Sequence, residues 1–139
     1  MKRNLFILSS LLAGFMSSAQ NECWTIKLNG TVLLSAERED QIKNKKTIRS
    51  AEWNKPGNLD IKFIATGAAP WIPAIYLTDE LENLVWKKDS VVSASIPLSS
   101  LRSLIKGKKE LKIYLIKSPP NEMMGRPTQM LHLCTLKLP

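Results

Sequence analysis

Few side chains in this sequence are equipped for chemistry. His132 is the only histidine, so a Ser-His-Asp or Cys-His arrangement would have to use it. It stands between Leu131 and Leu133, and no Gly-x-Ser-x-Gly accompanies it. The pattern predicts a core or rim histidine, on the same strand face as Cys134. The carboxylates are scattered, and their spacing selects no pair for glycosidase chemistry. Asp79-Glu80-x-Glu82-Asn83 offers oxygens for Ca²⁺ but lacks the spacing of a calcium loop, and reads as an acidic turn. One His and two Cys exclude a four-ligand Cys/His zinc site within the chain. No Gly-rich phosphate loop is present. The expectation is a chain with no catalytic residue, no metal site and no cofactor.

The remaining chemistry is that of binding and bridging. Cys23 and Cys134 are the only thiols. In an oxidising compartment they are expected to form a disulfide tying the first strand to the last. By chain entropy it would stabilise the fold by about 4–5 kcal/mol. Cations cluster at Lys43, Lys45, Lys46 and Arg49, at Lys87 and Lys88, and at Arg102, Lys106, Lys108, Lys109 and Lys112. Such clusters favour anionic partners. Trp53, Trp71 and Trp86 lie beside Pro-Gly, Pro-x-x-Pro or Lys-Lys sequences, where an indole can stack on a sugar or anchor a protein. Ser118 to Pro127 is framed by prolines and carries Met123, Met124 and Arg126. That stiffened loop suits recognition or inhibition of a secreted hydrolase.

The elements that must position these residues read as strands. Cys23–Leu28 and Thr31–Leu34 flank Asn29-Gly30, the strongest short hairpin signal. The pairing expected is Leu28 with Thr31 and Ile26 with Leu33, with Trp24, Ile26, Leu28 and Leu33 on one face. Asn29-Gly30-Thr31 is also a glycosylation sequon, but the turn accounts for it. A charged loop over 36–46 precedes a short strand at 46–49. Leu59, Ile61 and Phe63 alternate inward. Further strands are expected at 74–77, 84–87, 91–96, 111–116 and 129–138, the last covered on both faces. Ser99–Ile105 is the one helix expected, capped by Ser99 or Ser100 and stopped by Gly107. Eight or nine short strands at roughly ten-residue spacing predict an all-β, antiparallel β-sandwich. A small β-barrel is the alternative.

The 139 residues hold 20 Lys and Arg against 12 Asp and Glu, and 44% are hydrophobic. That is room for one domain. Residues 1–19 read as a secretory signal: Lys2 and Arg3, an apolar run from Leu5 to Met16, then Ser17-Ser18-Ala19 before Gln20. Cleavage would leave residues 20–139 as a single domain and lower the formal charge from +8 to +6 by removing Lys2 and Arg3. No second apolar stretch is long enough to span a bilayer.

The Cys-Trp-x-Ile-x-Leu-Asn-Gly start and the His-Leu-Cys-Thr-Leu end resemble those of small exported Bacteroidota proteins of unassigned function. The resemblance carries over no activity. The composite expectation is an exported, periplasmic or extracellular, non-catalytic binding module. Its partner would be an anionic polysaccharide or an envelope protein rather than nucleic acid, for which no signature is present.

Overall fold

Asn29 and Gly30 both take positive φ, 52° and 81°, as a two-residue turn of the hairpin type requires. They join β1 (Asn21–Leu28) to β2 (Thr31–Ala36). The computed structural model describes residues 21–66, 71–120 and 128–139. The chain continues through β3 (Lys45–Thr47), α1 (Ser50–Trp53), β4 (Asn58–Thr66), β5 (Ile72–Thr78) and β6 (Leu84–Asp89). It ends with β7 (Ser93–Pro97), α2 (Leu98–Leu104), β8 (Glu110–Ser118) and β9 (Gln129–Lys137). One sheet has the order β2-β1-β4-β7 and the other β3-β9-β8-β5-β6. All pairings are antiparallel except β3 with β9. Neither sheet closes on itself, so the fold is the expected all-β sandwich and not a barrel.

Alternation builds the core. Trp24, Ile26 and Leu28 of β1 and Leu59, Ile61 and Phe63 of β4 face Ile75, Leu77, Leu111, Ile113 and Leu115 of the other sheet. The Trp24 indole N–H also donates to the Leu133 carbonyl across the core at 2.9 Å, which ties the sheets by a polar bond at an otherwise apolar centre. No helix among the described residues is long and apolar enough to cross a membrane.

Two β-bulges change what alternation alone predicts. In β2 the register slips after Ile26, so Ile26 pairs with Leu34 and Leu33 is the extra residue. In β9, Cys134 pairs with Ile113 but His132 with Tyr114, leaving Leu133 as the extra residue. An inserted residue reverses the faces on its two sides. His132 therefore points away from the core while Cys134 points into it, contrary to the shared face expected.

The expected disulfide is also corrected. Cys23 and Cys134 are free thiols. Because Trp24 faces the core, its neighbour Cys23 lies on the outer face of β1, opposite the exposed Ile64. Cys134 lies on the inner face of the other sheet, and burial pushes its thiol up to about 12. Joining them would require β1 to turn over and expose Trp24.

The helices differ from expectation in smaller ways. α2 begins at Leu98 with Pro97 before it, and no side chain caps it. It ends at Leu104 with Ile105 as its C-cap, and Gly107, at φ 81°, lies in the turn beyond. α1 has no counterpart in the sequence reading. Its four residues bury Trp53 under the end of the sandwich.

Candidate functional site

The C-terminal half of β9 gathers basic segments that lie far apart in sequence. On one side β3 runs parallel to it, pairing Lys45 with Thr135, Lys46 with Leu136 and Thr47 with Lys137. The Ile48 N–H extends the ladder to the Lys137 carbonyl, and the Thr135 N–H reaches the Asn44 carbonyl, each at 2.9 Å. On the other side Lys137 stands opposite Glu110, and the Leu138 N–H donates to the Lys109 carbonyl at 2.9 Å. Residues 43–49, Lys109 and Lys137 are thus gathered around the C-terminal end of β9, with β3 as the edge strand of the five-stranded sheet.

Three lysines at or beside this edge are neutralised, and always by acids. Lys45 pairs with Glu110 at 3.3 Å, Lys108 with Asp79 at 3.1 Å and Lys112 with Glu82 at 2.7 Å. In contrast Lys43, Lys46, Arg49, Lys106, Lys109 and Lys137 make no ion pair with the described residues. All of these but the half-buried Lys46 are exposed.

Glu110 begins β8, whereas Asp79 and Glu82 come from the β5–β6 turn, which clasps β8 and the segment before it. Asp79 is only 1% exposed. Its Oδ1 accepts from the backbone N–H groups of Leu81 and Asn83, and its Oδ2 from the Asn83 amide and Lys108. Burial opposes its ionisation, but these donors outweigh burial and hold the carboxyl at about 2. Glu80 Oε2 accepts the N–H groups of Lys109 and Glu110 at 3.2 and 3.4 Å. Its own backbone N–H is the largest influence lowering its pKa, and those two groups assist against burial. Glu82 takes φ 63°, an uncommon conformation for a residue with a β-carbon. There its carboxylate meets Lys112, the Tyr114 hydroxyl at 3.0 Å and the Thr78 hydroxyl at 3.4 Å. Its pKa is lowered, first by Lys112. Burial and then Glu82 push Tyr114 up to about 12. Both carboxylate oxygens of Asp79 and of Glu82 accept protein donors, and no metal-binding cluster of His, Cys, Asp or Glu occurs among the described residues.

His132 lies on the outer face of the same sheet. Its Nε2 is 2.7 Å from Thr135 Oγ1 and its ring meets Tyr114 edge-on, with centroids 5.5 Å apart. Nδ1 has no hydrogen-bond partner. Burial, against the Glu39 carboxylate, lowers its pKa. Glu39 is otherwise engaged, accepting the His132 backbone N–H at 2.6 Å where β9 extends past β3. These contacts place the ring as a buried side chain of a covered strand, with no serine or cysteine nucleophile bonded to it.

The other expected site residues are dispersed. Arg102 donates to the Trp53 and Lys55 carbonyls at 2.6 and 3.2 Å, and Asn29 Nδ2 to the Glu52 carbonyl at 3.2 Å. Together they satisfy carbonyls that a four-residue helix leaves unpaired. Arg102 is thus structural rather than a free cation, and the Asn29 amide of the sequon is engaged within the fold. A β-carbon at Gly57 would fall 1.7 Å from Asn29 Oδ1, so this corner requires glycine. Trp53 is buried and not a loop aromatic. Trp86 packs half-buried against the core from edge strand β6, and Trp71 is half-buried just before β5. The three indoles form no common surface. Met123, Met124 and Arg126 lie outside the described residues. Of the expected binding residues, the structure brings Lys109 to the edge and commits Lys108 to the clasp, while Lys106 is exposed in the turn after α2. Sequence reasoning missed Lys137, a lone lysine in an apolar strand, as part of the site.

No family model, no curated protein and no solved structure matches this chain.

Proposed function

We propose that this chain is an exported, non-catalytic binding module that holds an anionic glycan or the anionic surface of a cell envelope at the β3–β9 edge. The observation that carries the reading is the gathering of cations from residues 43–49, Lys109 and Lys137 beside β9, where Glu110, Asp79 and Glu82 are already paired. Unpaired surface cations attract polyanions over a Debye length and make the binding salt-dependent. Lysines on an edge strand also discourage strand-to-strand aggregation, and the two roles are compatible. The engaged His132 ring supports a non-catalytic role. The apolar run from Leu5 to Met16 behind Lys2 and Arg3 supports export.

The test is retention of the purified protein on an immobilised linear polyuronate at low salt, followed by a salt gradient. The reading expects retention at low salt and elution as salt rises. Passage straight through the column at low salt would refute it. Fractionation of expressing cells should recover a chain beginning at Gln20 outside the cytoplasm.

A further inference from the structure

Resting on the binding reading above, we infer that the basic edge is built for an extended polyanion bearing many charges, and not for a compact anion. Two features of the edge carry this.

The first is the way its cations are spread. β3 advances roughly 3.3 Å per residue, and Lys43 and Arg49 lie beyond its two ends. Lys137 stands on the neighbouring strand, roughly 4.8 Å away, and Lys109 follows beside Leu138. The charges are strung along a line and a second row, with no point on which they converge. Each contact is exposed and individually weak. Useful affinity must then come from many contacts made by one chain, because each bound charge raises the effective concentration of the next.

The second is a site that the protein fills itself. Compact anions are ordinarily held by convergent backbone N–H groups. At this edge the N–H groups of Lys109 and Glu110 converge, and both donate to Glu80 Oε2. An internal carboxylate occupies the position that a free carboxylate, sulfate or phosphate would take. A small anion arriving from solution meets only side-chain ammonium groups, and it meets the Glu80 charge as well. A polymer can use the flanking cations without entering that position.

The experiment is competition against labelled polygalacturonate bound to the protein at low salt. Galacturonate and its oligomers are compared at equal total carboxylate. Competition per carboxylate should rise by at least roughly tenfold from the monomer to the longest oligomer. A monomer that competes as well as the oligomers, charge for charge, overturns the inference. Glu80→Ala vacates the two N–H groups and should improve competition by the monomer several-fold, with circular dichroism confirming that the variant is folded. If monomer competition is unchanged in that folded variant, the self-filled site does not exclude compact anions and the inference fails. Absence of polymer binding to the wild-type protein at low salt is a different result, and it removes the binding reading itself.

Discussion

Lysines of a single run, residues 102–112, end in two regions with opposite character. Lys108 and Lys112 are bound into the acidic clasp, each against a carboxylate of the β5–β6 turn. Lys106 and Lys109 make no ion pair with the described residues, and Lys109 lies at the basic edge with Lys137 and the residues around β3. The clasp has both signs of charge, a buried aspartate and a dense set of hydrogen bonds. The edge is mostly cationic, with exposed side chains at Lys43, Arg49, Lys109 and Lys137 and Glu110 taken by Lys45. A buried or multiply bonded charge is costly to disturb because its partners lose their bonds. An exposed unpaired charge contributes little to stability and remains available to a ligand. A run of lysines in sequence is therefore not one surface, and the acids it meets decide which members remain free.

Breaking the clasp should produce the largest effect. Asp79→Ala leaves the N–H groups of Leu81 and Asn83 and the Lys108 ammonium without their acceptor. A fall in melting temperature on the order of 10 °C is expected, read by thermal circular dichroism. A fall of only a degree or two would mean that the clasp is dispensable.

Reversing charge at the edge should give the contrary pattern. Lys43→Glu, Arg49→Glu and Lys109→Glu combined should weaken polyuronate binding by at least roughly tenfold at low salt, while the melting temperature stays within a few degrees. Binding would be followed by fluorescence anisotropy.

Acid should separate the two regions by their ionisations. Asp79 is held at about 2, and Glu80 and Glu82 are also depressed. A carboxyl depressed in the folded state stabilises above its unfolded pKa, near 4. That contribution is lost as pH falls through the folded value. The melting temperature should hold down to about pH 4 and then decline toward pH 2. The Asp79→Ala variant should show a shallower decline over the same window. Equal slopes in the two proteins would show that Asp79 contributes nothing to the acid sensitivity.

The smallest effect is expected at the outer rim of the clasp. Tyr114→Phe removes one donor to Glu82 while Lys112 and Thr78 remain. A loss of about 1 kcal/mol should appear in urea denaturation, with polyuronate binding unchanged. A change in binding of several-fold would mean that clasp and edge are not separate.

Much of the fold was legible where local physics decides it. Asn29-Gly30 specified the first turn, and the alternation of Leu59, Ile61 and Phe63 specified a strand with one buried face. The acidic turn after Thr78 was placed correctly. What escaped the sequence depended on distant residues. The bulges at Leu33 and Leu133 each add one residue to a strand, and no local composition marks them. They displaced the expected partner of Ile26 and separated His132 from Cys134. α1 is too short to show helical periodicity, so Trp53 read as a loop aromatic although it is buried. The candidate site was legible as clusters but not as a surface. Which lysine meets an acid is set by β8 and β9 pairing, and Lys137 joins the edge only through its strand neighbours.

The most direct test of the central claim holds the total charge fixed and moves its location. One variant combines Lys43→Glu, Arg49→Glu and Lys109→Glu at the basic edge. A second combines Lys27→Glu, Lys62→Glu and Lys88→Glu, exposed residues elsewhere on the sandwich. Both change the net charge equally. Polyuronate affinity is then measured for each across a range of salt. The edge variant should lose most of its affinity and salt dependence while the second variant retains most of both. Equal losses in the two variants would show that net charge alone attracts the polymer, and would contradict a binding site at the β3–β9 edge.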